Sequence, residues 1–206
     1  MSKFITFEGG EGSGKSTVLK KVDALLRQDG YQTVVSREPG GTPISEQIRN
    51  VIVDKANTKM DPRAEALLYA ASRRQHLVEK VWPSLKEGKI VLCDRFLDSS
   101  LAYQGGARGL GIDEILKVNE YATEGFLPDL TLLFDIDPKL GLARIAANQG
   151  REVNRLDLEK MSFHEMVRAT FQSLANRYPE RYIVLDASKE LDDVVNDAYQ
   201  AIKQRL

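Results

Sequence analysis

Short apolar runs alternate with amphipathic stretches along the 206 residues of this chain. Apolar runs of four or five residues favour buried strands, and apolar positions spaced three or four apart favour helices. The strands are predicted over 4–7, 33–36, 89–93, 130–134 and 182–185. Helices are predicted over 16–28, 44–53, 111–124, 138–148, 158–177 and 191–206.

One further predicted helix is longer than the others. Asp61 is typical of an N-cap, and Pro62 suits the first helical position. The pattern continues towards Glu87, where Gly88 indicates a stop. Pro83 lies inside this stretch and predicts a kink, because proline cannot donate a helical hydrogen bond.

The alternation of strands and helices predicts an α/β fold with a five-stranded parallel sheet and helices on both faces. We expect a single domain over 1–206. Ligands in such sheets bind at the carboxyl ends of the strands. The residues that follow the predicted strands are 8–15, 37–41, 94–104, 135–137 and 186–188.

The first of these strand ends carries a phosphate-binding pattern. Residues 9–16 read Gly-Gly-Glu-Gly-Ser-Gly-Lys-Ser, between a predicted strand and a predicted helix. This is the P-loop, in which backbone N–H groups and the helix dipole bind phosphates. Lys15 would reach the β and γ phosphates and Ser16 would hold Mg²⁺. The alternative is a glycine-rich turn that binds nothing. With the motif, the predicted fold is the three-layer P-loop NTPase sandwich.

Composition excludes several classes of protein. The net charge of −1 does not suggest a nucleic-acid surface, and 42% hydrophobic residues is ordinary for a globular domain. There is no apolar run of membrane-spanning length, and we expect no signal peptide, because Met1-Ser2-Lys3 leads straight into the first predicted strand. Cys93 is the one cysteine, so an internal disulfide is impossible. We therefore expect a cytoplasmic protein with no membrane or nucleic-acid partner.

Asp94 and Arg95 follow the most apolar predicted strand. An aspartate there suits Mg²⁺ or its bound waters, although a helix N-cap is the alternative. An arginine beside a phosphate site suits bidentate capture of a second phosphate. The alternative for Arg95 is a salt bridge to Asp94 or Asp98.

Two neighbouring arginines occur in the long predicted helix. Arg74 shares a stripe with residues 67, 71, 78, 81 and 85, whereas Arg73 shares a face with Tyr69 and Leu77. Spacing alone predicts that Arg74 is the more buried and is held by an acid. It does not indicate which arginine meets a ligand.

A polar stretch over 148–157 contains Arg151 and Arg155. One interpretation is a lid that closes over the transferring phosphates and supplies an arginine finger. The alternative is a solvated loop with surface ion pairs. His76 and His164 have no partner at metal-ligand spacing, and Cys93 is predicted to be a packing residue.

Nearly the whole chain resembles thymidylate kinase, a nucleoside monophosphate kinase of the P-loop class. The resemblance depends on five segments in the same order and spacing: 7–16, 37–42, 70–74, 94–104 and 154–157. It implies the reaction ATP + dTMP → ADP + dTDP with Mg²⁺, in a homodimer.

The resemblance also implies roles for individual residues. On the ATP side are Gly9, Gly10, Glu11, Gly12, Ser13, Gly14, Lys15, Ser16, Thr17 and Arg144, with Ser16 and Asp94 near the metal. Arg95 matches the arginine on the dTMP phosphate, Glu11 approaches the sugar and Tyr103 crowds the 2′ position. The thymine residues are Tyr69, Arg73, Ser100 and Gln104, and the pocket-closing residues are Glu38, Pro39 and Arg49.

Two departures from the family pattern bear on mechanism. The P-loop contains no arginine, so Lys15 and Arg95 need a further cation, which Arg151 and Arg155 must supply, as in bacterial-type enzymes. Phe96 stands where the family usually has tyrosine, a loss of one hydroxyl.

Two other functions stay open. One is a kinase for dUMP or dCMP. The other is a regulatory nucleotide-binding module, although the guanine-reading pattern Asn-Lys-x-Asp is absent.

Overall fold

The computed structural model describes residues 2–147 and 155–206, and five parallel strands form one sheet. The strands are β1 (Lys3–Gly9), β2 (Thr33–Arg37), β3 (Ile90–Asp94), β4 (Leu130–Asp135) and β5 (Tyr182–Asp186), in the order β2-β3-β1-β4-β5. The central strands are buried on both sides, which explains their continuous apolar runs. The predicted α/β fold is confirmed.

Helices cover both faces of the sheet. They are α1 (Lys15–Gln28), α2 (Pro43–Val53), α3 (Pro62–His76), α4 (Trp82–Lys86), α5 (Leu97–Ser100), α6 (Ile112–Thr123), α7 (Pro138–Ala147), α8 (Met161–Arg177) and α9 (Leu191–Lys203). Two π-helical segments, Leu77–Val81 and Leu101–Ala107, and a 3₁₀ turn, Arg155–Leu158, complete the described elements. None of the helices in the described ranges combines the length and apolar character needed to cross a membrane.

The core has two parts, one on each face of the sheet. On one face, Ile5 and Leu92 pack with Val22 of α1 and Ala198 of α9. On the other face, Phe4 and its neighbours pack with α8, the first π segment and the second π segment. The result is a three-layer sandwich in which β1 lies at the centre.

The long predicted helix is present, but its irregularity precedes Pro83. Asp61 accepts hydrogen bonds from the backbone N–H of Arg63 and Ala64, as an N-cap does. The Trp82 N–H bonds to the Leu77 carbonyl, five residues earlier. Because Pro83 lacks an N–H and its ring clashes with the preceding turn, that turn widens into a π segment.

Residues 97–107 form a helical segment that the apolar pattern did not predict. Every side chain from Leu97 to Gly105 is buried. A helix enclosed on all sides has no solvent-facing stripe, and here polar residues such as Asp98 and Gln104 are buried along with the apolar ones, so the periodic signal is lost. This segment packs between α6 and α8 beside the carboxyl end of β3.

Candidate active site

The P-loop follows β1 and leads into α1. Gly12 and Gly14 have positive φ, at 70° and 82°. A Cβ atom at Gly12 would overlap the backbone carbonyl of Gly141, so this position has no room for a side chain. The loop therefore presents the N-terminus of a 14-residue helix at the carboxyl edge of the sheet, an arrangement suited to phosphate.

Lys15 is 6% exposed and lies within the loop. Its ammonium donates to the carbonyl oxygens of Gly9, at 3.0 Å, and Gly10, at 2.8 Å, and to Ser13 Oγ, at 3.1 Å. Burial, and then the nearby charge of Arg95, lower the pKa of Lys15 to about 8. All three acceptors are neutral, so the charge of this lysine is available to an anion in the loop.

Ser16 and Asp94 meet at the mouth of the loop. Ser16 Oγ donates a hydrogen bond to Asp94 Oδ2, and the strand register pairs Asp94 with Phe7 of β1. Asp94 is not a helix cap, since Phe96 occupies the N-cap position of α5. A hydroxyl and a carboxylate fit Mg²⁺, which keeps several waters and binds through one or two protein oxygens plus phosphates. The described residues contain no cluster of three or more His, Cys, Asp or Glu side chains that could hold a metal ion.

Arg95 adopts a positive φ of 70°, which is uncommon for a residue other than glycine. Its guanidinium donates to the Gly9 carbonyl at 3.0 Å, to Ser99 Oγ at 3.2 Å and to Glu11 Oε1 at 2.7 Å. The salt bridge of Arg95 is to Glu11, not to Asp94 or Asp98, the two alternatives from the sequence. Tyr103 donates to the same Glu11 oxygen at 3.0 Å, and its ring lies under the guanidinium. Arg95 is thus fixed beside the P-loop.

Glu8 is a site residue that the sequence reasoning missed. It is fully buried, and its two carboxyl oxygens accept from the Phe96 N–H at 2.7 Å and from Ser99 Oγ at 2.6 Å. These bonds hold the turn that contains Arg95. Burial, and then the charge of Asp98, raise the pKa of Glu8 to about 8. An acid at the end of an otherwise apolar strand was the available signal, because a buried carboxyl group needs partners.

Arg73, not Arg74, is the buried arginine of α3. Its guanidinium is 1% exposed and donates to Glu38 Oε2 at 2.8 Å and to Ser100 Oγ at 3.1 Å. It also donates to Asn119 Oδ1 and to the Phe96 carbonyl oxygen. Four of the five N–H groups of this guanidinium are therefore bound to protein.

The prediction that Arg74 is the more buried arginine is wrong. Its side chain is 40% exposed, pairs with Glu124 at 2.8 Å and lies over the Trp82 ring. The stripe that it shares faces outward in part, since Leu67 and Val78 are exposed. Periodicity identified an apolar face of the helix but could not show that part of this face is exposed to solvent.

Glu38 connects Arg73 to a second buried group. Its other oxygen, Oε1, lies 2.9 Å from His76 Nδ1, and His76 Nε2 lies 2.6 Å from Ser36 Oγ. His76 is fully buried. Pro39 follows Glu38, and its carbonyl oxygen accepts from Arg49 at 3.2 Å.

The P-loop, Asp94, Arg95 and Arg73 all line one pocket of about 650 Å³. Its walls include residues 11–17 of the P-loop together with Glu38, Pro39, Arg49, Tyr69, Arg73, Asp94, Arg95, Tyr103, Gln104 and Arg144. Its size suits a small organic ligand, and its cations suit phosphates. A P-loop phosphate site and a second arginine site thus share one cavity.

Comparison with known proteins identifies the family. The family model described as Thymidylate kinase matches residues 7–198. The curated thymidylate kinase of Halalkalibacterium halodurans is 58% identical over 203 residues, 98% of this chain and 97% of that protein. The curated thymidylate kinase of Bacillus velezensis is 57% identical over 203 residues, with 98% and 96% covered. This chain belongs to the thymidylate kinase family.

A solved structure of the family agrees with this fold. The crystal structure of thymidylate kinase from Ehrlichia chaffeensis superimposes with a TM-score of 0.79 at 32% identity, covering 98% of each chain. The chain that contains the five resembling segments therefore has the same fold as a solved thymidylate kinase.

Three predicted site residues of this thymidylate kinase family member, Gly9, Gly10 and Ser100, do not line the large pocket, whereas Arg144 does. Gly9 and Gly10 contribute carbonyl oxygens to Lys15, and Ser100 contacts Arg73. Arg144 lines the pocket while donating to the Ala187 carbonyl at 2.8 Å. Gly9, Gly10 and Ser100 therefore contact Lys15 or Arg73, which do line the pocket.

The two arginines predicted for a lid differ in what the structure describes. Arg151 lies outside the described residues. Arg155 is 7% exposed, donates to the Ile52 carbonyl at 3.0 Å and pairs with Glu65. In the described conformation, Arg155 therefore binds protein groups of α2 and α3.

Proposed function

We propose that this chain transfers the γ-phosphoryl group of ATP to dTMP, giving ADP and dTDP, a step in dTTP synthesis for DNA replication. Family membership supports the reaction. The observation that carries the assignment is that one pocket contains three features. They are the P-loop, Arg95 as a candidate for a second phosphate, and the buried Arg73 near the aromatic ring of Tyr69. A phosphoryl transferase needs two phosphate sites that face each other.

On the donor side, the backbone N–H groups of residues 9–17 bind the ATP phosphates, with Lys15 at their centre. Ser16 and Asp94 hold Mg²⁺, and the hydrogen bond between them supports that pairing. When bound there, Mg²⁺ would neutralise part of the charge of the phosphates. Arg144, a residue of α7 at the pocket wall, lies near the adenine.

On the acceptor side, Arg95 binds the dTMP phosphate, exchanging neutral partners such as Gly9 and Ser99 for phosphate oxygens. Glu11 and Tyr103 form the sugar site, since their hydrogen bond places both beside Arg95. The base site is formed by Tyr69, Arg73, Ser100 and Gln104, and it is closed by Glu38, Pro39 and Arg49.

Catalysis consists of alignment and charge neutralisation, and no general base is required. Lys15, Arg95 and an arginine from the 148–157 segment supply the positive charge. Arg151 and Arg155 are the candidates. For Arg155, that role requires release from Glu65. We propose that 1–206 is a single kinase domain with this segment as its lid.

The test is ADP release with ATP, Mg²⁺ and one of six acceptors: dTMP, dUMP, dCMP, dGMP, dAMP or UMP. We expect a strong preference for dTMP. Preference for a different monophosphate would keep the kinase and overturn the base site. ATP binding without acceptor-dependent turnover would indicate a binding module instead.

We also propose a cytoplasmic homodimer. The buried free thiol of Cys93 is consistent with a reducing compartment. Apolar side chains are exposed on α2, α3 and the first π segment, including Val51 at 47%, Leu67 at 59% and Val78 at 45%. Such residues on adjoining elements favour contact with a second copy.

Light scattering coupled to size exclusion tests the dimer. We expect Leu67→Asp to give monomers, whereas the control Leu191→Asp, at an exposed position on α9, leaves the mass of the native protein unchanged. A native protein that elutes as a monomer at micromolar concentration would refute this proposal without affecting the reaction.

A further inference from the structure

Glu65 lies in the first turn of α3 and is 1% exposed. Its carboxylate accepts from Gln104 Nε2 at 2.8 Å, from Arg155, and from Arg108 at 3.4 Å through two nitrogens. Burial raises the pKa of Glu65, but the bonds from Gln104 and Arg155 and the charge of Arg108 outweigh burial and lower it below its ordinary value. Glu65 is therefore ionised at neutral pH.

This ionisation fixes the orientation of the Gln104 amide. An ionised carboxylate has no proton to donate, so only the NH₂ group of Gln104 can face it. The amide carbonyl oxygen must then point away from Glu65. Gln104 lines the large pocket together with Tyr69 and Arg73, and no donor among the described residues bonds to its carbonyl oxygen.

Pyrimidine bases differ in the hydrogen-bonding groups at ring positions 3 and 4, which an amide oxygen and a guanidinium can distinguish. Thymine and uracil present an N3–H donor and an O4 acceptor, whereas cytosine presents an N3 acceptor and an amino donor. A Gln104 carbonyl oxygen satisfies N3–H and opposes the N3 acceptor of cytosine. Arg73, which can only donate, satisfies O4.

We infer that Glu65 is a positioning residue for base selection: it holds the Gln104 carbonyl oxygen towards the base, so that the pocket accepts an N3–H pyrimidine and rejects cytosine. This inference rests on the proposed reaction and adds to it a residue with no direct contact to the base. Glu65 acts on the base through Gln104, so it does not affect the choice between dTMP and dUMP, which share the N3–H; its bonds to Arg155 and Arg108 affect all three substrates alike.

The test replaces Glu65 with glutamine and measures kcat/KM for dTMP, dUMP and dCMP. A neutral amide both donates and accepts, so Glu65→Gln permits either orientation of Gln104. We expect the dTMP-to-dCMP ratio to fall about tenfold or more, the range for a mismatched buried hydrogen bond. The dTMP-to-dUMP ratio should stay constant. Both ratios are independent of the fraction of enzyme that is folded, because all three substrates are measured with the same enzyme preparation and the active concentration cancels.

Two further variants separate orientation from general damage. Glu159→Gln removes the other carboxylate on Arg108, which lies 2.7 Å away, and should leave both ratios unchanged. In a Gln104→Ala background, Glu65→Gln should not change the dTMP-to-dCMP ratio any further. An unchanged ratio in Glu65→Gln alone, or an equal additional loss in the Gln104→Ala background, would overturn the inference. Failure of the native protein to phosphorylate dTMP would overturn the proposed function instead.

Discussion

Replacing Glu38 with alanine should destabilise the fold more than any surface charge change. Glu38 and Arg73 form an ion pair at 2.8 Å, with side chains 2% and 1% exposed. The other recorded partners of Arg73 are neutral: Ser100, Asn119 and the Phe96 carbonyl. Glu38→Ala therefore leaves a guanidinium charge buried without its carboxylate.

The magnitude follows from that geometry. Removing one partner of a buried ion pair costs about 3–5 kcal/mol, because the remaining charge is neither solvated nor neutralised. For a chain of 206 residues this corresponds to a Tm lower by about 6–20 °C. Glu38→Gln keeps acceptor capacity for Arg73, so its loss should be smaller.

Urea unfolding without nucleotide measures the change, with the free energy of unfolding obtained by linear extrapolation. The matched control is Asp197→Asn, which breaks the exposed pair with Lys189 at 2.8 Å. That control should cost less than about 1 kcal/mol. If Glu38→Ala cost no more than the control, the claim that Glu38 neutralises a buried Arg73 would be wrong.

Three further predictions concern the P-loop. Bound phosphates should raise the pKa of Lys15 from about 8, so above pH 8 the protein should take up a proton when it binds ATP. The affinity for ATP should then fall by up to about tenfold per pH unit in that range. Calorimetry in two buffers measures the proton uptake. Lys15→Ala should show no uptake and no turnover, while circular dichroism reports a retained fold. Gly12→Ala should raise the KM for ATP and lower Tm, because its Cβ meets Gly141, whereas Gly10→Ala meets nothing within 4 Å and should lose far less. Ser16→Ala should raise the Mg²⁺ concentration for half-maximal rate, and an unchanged Mg²⁺ dependence would remove this hydroxyl from the metal site.

Much of the fold could be predicted because its signals are local. The strand predictions rested on apolar runs, and the P-loop on eight consecutive residues. Asp61 accepts hydrogen bonds from the N–H groups two and three residues ahead, so its capping role depends only on residues within one helical turn. These features need no knowledge of distant neighbours.

The candidate site was predicted less completely, because its contacts join distant parts of the chain. Glu8 meets Ser99, and Glu65 meets Gln104, across 91 and 39 residues. Glu65 was not distinguished in sequence from an ordinary helix residue, and the acid at the end of the first apolar strand did not by itself identify the partners of Glu8. The helical segment over 97–107 was missed because it is enclosed on all sides and shows no periodic pattern.

The sequence by itself determined the order of strands and helices, the phosphate loop and the family, since each depends on residue types at short, fixed spacings. Tertiary structure alone decided that Arg73 lies inside and Arg74 outside, and that Arg95 pairs with Glu11. Helical periodicity gives the angle between two side chains around one axis. It does not specify which neighbouring element, or solvent, occupies each direction, because that depends on how the whole chain packs.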